Sequence, residues 1–360
     1  MEYHVLLLVS LCLIEVFFSV FSSSPQKERL LKVFFMGLML FLFAALRGKT
    51  VGIDVLGYFI GFETDGRWTV SQIINADSSY TQSRDPVFHI FLHFLSFISM
   101  DPQIMLVAIG LLVALGFSVF VYYQKGNVLI YYILFITLRI FPFTLSGLRQ
   151  AMAMAFVFMA FAALQNKKNV WFLILTVLGG LFHESAFVFL LALPLVKIKS
   201  TMVVGVSAMV FVAVNLVSQN WLVAGIVGKL FGGRFSSYAS RAIAADFEGG
   251  ATFLLYTMLF VLIMLFYPVL KQSYKDTGEM FRLLSVAMMF VIIGQSMPNM
   301  FRIAYYFIFA LLSFVPRLIE RMFEPKMRIV VIALIVLLMS GQYILLGPSA
   351  GVDNYVFYWQ

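Results

Sequence analysis

The sequence predicts an all-α polytopic membrane protein. Three observations carry that expectation. Apolar runs of membrane-spanning length recur from one end of the 360 residues to the other. Hydrophobic residues make up 62% and charged ones 12%, at a mean hydropathy of +0.97, far from the balance of a soluble domain. The sequence shows no short alternating segments of the kind a membrane barrel needs.

The first run, Val5 to Val20, has no basic stretch before it and carries Glu15, so it reads as a retained helix over 4–21 rather than a cleaved signal. The single cysteine, Cys12, lies inside it, which excludes intrachain disulfides and a cysteine metal cluster. A second helix, 33–46, ends at Arg47. The polar segment 47–85 follows, with Asp54–Phe62 and Trp68–Asn75 as amphipathic helices lying on the membrane. The run 86–99 is short and interrupted by His89 and His93, which makes it re-entrant or interfacial. From there the runs are regular: 104–122, 128–141, 145–164, 170–182, 185–197, 201–216, 252–270, 279–296, 300–318 and 328–346.

Basic turns separate every second pair, and with the first turn they hold fourteen of the 25 Lys and Arg, all on one side. That side is the cytoplasm by the positive-inside rule, and the net charge of +8 reports this anchoring rather than nucleic-acid binding. The expected topology is a single integral-membrane domain over 1–360, with about 12 crossings plus the re-entrant helix and both termini outside. Two long outer loops, 47–85 and 217–250, are expected to be working parts.

The chain is organised around Leu145 to Phe187, two apolar runs joined by Lys167-Lys168. Their far ends carry Leu148-Arg149-Gln150 and His183-Glu184-Ser185, which the topology brings to the outer face. Ionisable groups at membrane depth are costly and are functional candidates by default. Arg47, Arg149 and Arg302 fall at outer helix ends, and Arg139 sits slightly deeper. An arginine fork matches phosphate oxygens bidentately, whereas snorkelling or interhelical pairing is the plainer alternative. Arg282, at an inner helix end, reads as an ordinary anchor.

His183 with Glu184 is the leading acid–base pair, because an imidazole can accept a proton near neutral pH. Asp54, with Tyr58 one turn later, is the rival base, or else a helix cap. Asp85, His89 and His93, spaced four apart, share a helical face. A cap at Asp85 with interfacial histidines is preferred there to a metal site. Arg302, Tyr305 and Tyr306 could meet a sugar, although an aromatic belt explains the tyrosines as well. No phosphate-binding loop or dinucleotide fingerprint occurs, so neither a cofactor nor a metal is expected.

Taken together these pieces resemble the EpsG family of exopolysaccharide polymerases, which belong with the Wzy-type polymerases. The matching pieces are Arg47 with Gly52-Ile53-Asp54 and Tyr58, Asp85-Pro86-Val87-Phe88, and Leu148-Arg149-Gln150. Phe182-His183-Glu184-Ser185-Ala186 and Arg302 with Tyr305-Tyr306-Phe307 complete the series. The resemblance implies a multi-pass enzyme of the bacterial inner membrane with its active face outside. Such an enzyme joins oligosaccharide repeat units carried on undecaprenyl pyrophosphate, which accords with the missing nucleotide motif. A chain-length regulator and other exopolysaccharide assembly proteins are the further partners it implies. On this reading Arg47, Arg149, Gln150, Arg302, Tyr58, Tyr305 and Tyr306 bind substrate, and His183, Glu184 or Asp54 serves the acid–base step. The alternative is a lipid-linked oligosaccharide flippase, which would spread its charges along a midplane cavity rather than at one face. A membrane acyltransferase fits less well, because the polar clusters face away from a cytoplasmic acyl donor.

Overall fold

The computed structural model describes residues 1–75, 85–217, 251–296 and 298–360, and every regular element among them is helical. The expected loop 217–250 and the end of the first loop, 76–84, lie outside the described residues from 218 and 76 onward. Contacts divide the chain into two compact units: Met1–Phe187 with Glu324–Gln360, and Val188–Phe323.

The first unit contains α1 (Glu2–Phe21), α2 (Pro25–Ala45), α3 (Val55–Arg67), α4 (Val70–Asn75), α5 (Pro86–Ser96), α6 (Gln103–Tyr123), α7 (Val128–Thr137), α8 (Ile140–Ser146), α9 (Leu148–Gln165), α10 (Asn169–Phe182) and the last helix, Pro325–Leu346. Small residues set its closest approaches. A Cβ at Gly110 would lie 3.0 Å from Ala44, so α2 and α6 pack nearly backbone to backbone. The α6–α9 seam is built on Gly116 against Ala155 in the same way.

The two ends of this unit are fastened by different contacts. At one end Arg29 donates to the carbonyls of Val121, Tyr122 and Gly126. Beside it Lys32 pairs with Glu15 at 2.8 Å and Glu28 at 2.5 Å, while Asn127 donates to Glu15. Lys125, Lys167 and Lys168 belong to the helix turns at the same end. At the opposite end the amino terminus meets Asp353 O at 3.2 Å. Just inside, His4 donates from Nε2 to Val352 O at 2.8 Å, and the Tyr343 hydroxyl bonds its Nδ1 at 2.9 Å. The closing segment folds back over this end. Gly48 and Gly52 donate to Val356 O and Gly351 O, and Arg47 forms an isolated antiparallel bridge with Phe357.

In the second unit Arg282 donates to the carbonyls of Leu195 and Val196 and to Thr201, closing the end of the helix Ala192–Lys197. Arg317 grips Asp276 bidentately at 2.8 and 2.9 Å.

Among the described residues six helices are long and apolar enough to cross a membrane: α1, α6, α9, Phe253–Ser273, Thr277–Gly294 and Pro325–Leu346. The pair α7 and α8, bent by 56°, makes a seventh if counted as one span. Among the described residues the twelve crossings expected from sequence are not confirmed. Apolar length fixes burial but not continuity, and spanning needs about 20 unbroken residues. The run 185–197 breaks into a 3₁₀ segment, Glu184–Leu191, and the short helix Ala192–Lys197. The run 300–318 breaks between Pro298–Ala304 and Phe309–Met322. α10, at 14 residues, is too short to span straight.

Candidate functional site

One polar cluster of the first unit centres on Asp85. This residue stands at the N-cap position of α5, with Pro86 opening the helix, yet its carboxylate makes no cap bond. It turns instead toward α9 and the end of α10. Its Oδ2 accepts from His183 Nδ1 at 2.9 Å and from Arg149 Nη1 at 3.2 Å. Its Oδ1 accepts from the backbone N–H of Glu184 at 3.3 Å. Arg149 Nε reaches the hydroxyl of Tyr58 at 3.4 Å, and the Tyr58 ring meets Phe88 edge-on.

Local sequence explains how these groups meet. Arg149 lies in the first turn of α9, after α8 has ended at Gly147. Gly179 lets α10 lie against α9 at Ala153, and Gly180 leaves room for the Phe187 ring. Phe182 stacks on Phe156 at 5.5 Å and meets Phe91 edge-on, which fixes where α10 stops. His183 then takes an extended backbone, φ −156° and ψ 113°, and its N–H closes the helix on Gly179 O. The chain leaves α10 with the imidazole directed at Asp85.

The carboxylate is 5% exposed, whereas His183 and Arg149 keep 24% and 27% of their side chains open. Burial by itself would raise the Asp85 carboxyl. The His183 hydrogen bond and charge, the Arg149 guanidinium and the Glu184 N–H outweigh it and hold Asp85 below the ordinary carboxylate range. An ionised carboxylate only accepts, so the proton between the pair belongs to His183 Nδ1. The opposite ring nitrogen, Nε2, makes no hydrogen bond to any described residue. The arrangement is thus an imidazole oriented by a buried carboxylate, next to a half-open guanidinium, which is geometry suited to general-base chemistry.

The structure brings Arg149 and His183 together, as their two clusters suggested, adds Tyr58, and joins the two through Asp85. The Glu184 side chain is exposed, and only its N–H joins the cluster. Asp85 is therefore not the simple helix cap expected. A signal for it existed, since an arginine at membrane depth demands an anion, and Asp85 heads the neighbouring apolar run. Asp54 is exposed at the start of α3, where its N–H meets Ser146 Oγ at 3.4 Å, and its carboxylate lies outside the cluster. Gly52 (φ 109°) makes that approach possible, since a Cβ there would come within 2.7 Å of Leu145 O.

Arg47 differs from the expected phosphate ligand. It is 1% exposed and its guanidinium donates to the carbonyls of Ala44 and Leu145, which commits it to the fold. Gln150 is buried in the packing of α9. Arg302 is exposed in the second unit, whereas Tyr305 and Tyr306 are buried there at 6% and 0% and present no ring for a sugar to stack on. The face shared by Asp85, His89 and His93 divides. His89 Nδ1 donates to Asp65 Oδ2 at 2.7 Å and His93 Nδ1 to Asp65 O at 3.0 Å, away from Asp85. Among the described residues no three His, Cys, Asp or Glu groups could hold a metal ion.

Compared with known proteins, residues 30–358 match the model of the EpsG family. No curated protein and no solved structure matches.

Proposed function

The chain belongs to the EpsG family, and from that membership we propose that it is a polymerase joining undecaprenyl-pyrophosphate-linked oligosaccharide repeat units into exopolysaccharide on the outer face of the cell membrane. The family points to a polymerase-type enzyme, and its apolar helices make it a multi-pass membrane protein. The observation that carries the finer reading is the Arg149–Asp85–His183 constellation. On this reading His183 serves as the oriented base and Arg149 as the anion receptor beside it. Its position at the end of the first unit opposite Lys125, Lys167 and Lys168 supports an active face away from the cytoplasm.

In the proposed reaction Arg149 holds the pyrophosphate of a donor chain. A hydroxyl of the acceptor unit gives its proton to His183 Nε2 as its oxygen attacks the donor's anomeric carbon. The bond from that carbon to the pyrophosphate oxygen breaks, and the electron pair leaves with undecaprenyl pyrophosphate. Arg149 offsets the charge that develops there, while Asp85 stabilises the imidazolium until its proton returns to water. A pyrophosphate leaves readily, so no separate general acid is required.

Purified protein in liposomes with lipid-linked repeat units should give polymers of many units, and cells lacking it should accumulate single units on the outer face. Accumulation on the cytoplasmic face, with no polymer made by the purified protein, would replace this reading with a flippase.

A further inference from the structure

Resting on the polymerase reading, we infer that Asp85 is a positioning residue that is handed from Arg149 to His183 when a diphosphate binds, so that anion capture and base activation are one event. The inference starts from a single atom. Asp85 Oδ2 accepts both from Arg149 Nη1 at 3.2 Å and from His183 Nδ1 at 2.9 Å. Two donors on one oxygen share its charge, so whatever removes one strengthens the bond to the other.

Arg149 is the donor that an anion removes. A guanidinium grips phosphate oxygens in pairs, through Nε with Nη2 or through Nη1 with Nη2. Here Nη1 is on Asp85 and Nε is on Tyr58, so each two-pronged edge shares a nitrogen with an existing partner. A diphosphate carries more charge than the carboxylate, and Arg149 is open enough to meet it, with 27% of its side chain exposed. Asp85 cannot follow. Its side chain is 5% exposed, and Oδ1 stays tied to the Glu184 N–H. The carboxylate therefore remains against His183 with no competing cation, which orients Nδ1–H more firmly and makes Nε2 the stronger base.

The charged groups on the surrounding elements leave this exchange intact. On α3 and α5, Asp65 and His89 bond to each other, and Tyr58 touches only the Arg149 side of the cluster. Glu184 projects an exposed side chain, and Asp54 is likewise exposed.

The test uses full-length protein in detergent with ¹⁵N-labelled histidine and inorganic pyrophosphate. The His183 ring resonance is identified among the four histidines by its loss in His183→Gln. Pyrophosphate should move the His183 Nδ1–H proton downfield. Arg149→Gln should show that position already without ligand and no response to ligand. Asp85→Asn should bind pyrophosphate as tightly as the wild type or up to about tenfold tighter, because the competing anion is gone. Its turnover should nonetheless fall by about 10²–10⁴. A merely structural Asp85 would lose binding and turnover together. An unmoved resonance in protein that binds pyrophosphate overturns the handover but leaves the polymerase reading standing. Absence of pyrophosphate binding overturns the handover together with the anion grip. An intact handover in protein that makes no polymer rejects the polymerase reading alone.

Discussion

Asp85 Oδ2 lies 2.9 Å from His183 Nδ1, although 98 positions separate the two residues in the chain. The contact joins the start of α5 to the end of α10, neither of which is among the helices long enough to span. Short helices whose ends stop within the protein are how a membrane fold brings polar groups together without exposing unpaired backbone to lipid.

Replacing Arg149 by lysine keeps the charge but loses the fork. Polymer formation should fall about 10²-fold or more while the protein still inserts and remains monodisperse, since a point ammonium cannot grip a phosphate through two parallel donors. Polymerisation assayed on reconstituted protein measures this, and a fully active Arg149→Lys enzyme removes the clamp.

His183→Gln should bind lipid-linked substrate and lose turnover, because glutamine can hydrogen-bond to Asp85 but supplies no basic nitrogen. Asp54→Asn, at an exposed side chain outside the cluster, should stay active. The reverse pattern on purified repeat units makes Asp54 the base.

The pH dependence of the cluster follows from Asp85. Its carboxyl is held below the ordinary value, so its contacts stabilise the fold fully above about pH 3.9 and are lost as pH falls through the lower folded value. The difference in apparent melting temperature between wild type and Asp85→Asn should therefore persist from pH 7 to 5 and be lost only below about pH 4. A difference already gone at pH 5 contradicts the ionised assignment.

Arg47 predicts a stability phenotype. Arg47→Met leaves the carbonyls of Ala44 and Leu145 without their donor and should cost about 2–3 kcal/mol, read as a lower melting temperature. Activity per folded molecule should be retained. Normal melting with lost activity would return Arg47 to the substrate.

Topology is tested with cysteines placed on a Cys12→Ser background. Lys168 and Lys326 should label with an impermeant reagent only after permeabilisation, and Ile53, 74% exposed, should label in intact cells. Labelling at Lys168 from outside reverses the orientation.

Much of the helical plan was legible because apolar runs report helices and their burial directly. Some breaks were not, since Ala304 to Phe309 and Ala186 to Ala192 read as apolar as the helices beside them and differ only in how the backbone is satisfied. At the site, Arg149 and His183 were legible as charge at membrane depth. Asp85 was hidden behind a cap signature, Asp-Pro, that a position-by-position reading satisfies locally. Arg47 misled for the opposite reason, since sequence shows a charge but not the carbonyls waiting for it.

The division of the chain also has a consequence for biogenesis. The first unit is made from Met1–Phe187 and Glu324–Gln360, with the whole second unit translated in between. The ribosome must therefore finish 323 residues before the partners of His4, Arg47 and Arg139 near the carboxyl end exist. Until then the nascent first unit lacks the segment that covers one of its ends. Completion of the last helix and the strap behind it is thus the step that closes the protein, and a nonsense codon anywhere in the final segment leaves an inserted but unsealed chain for membrane proteases to clear.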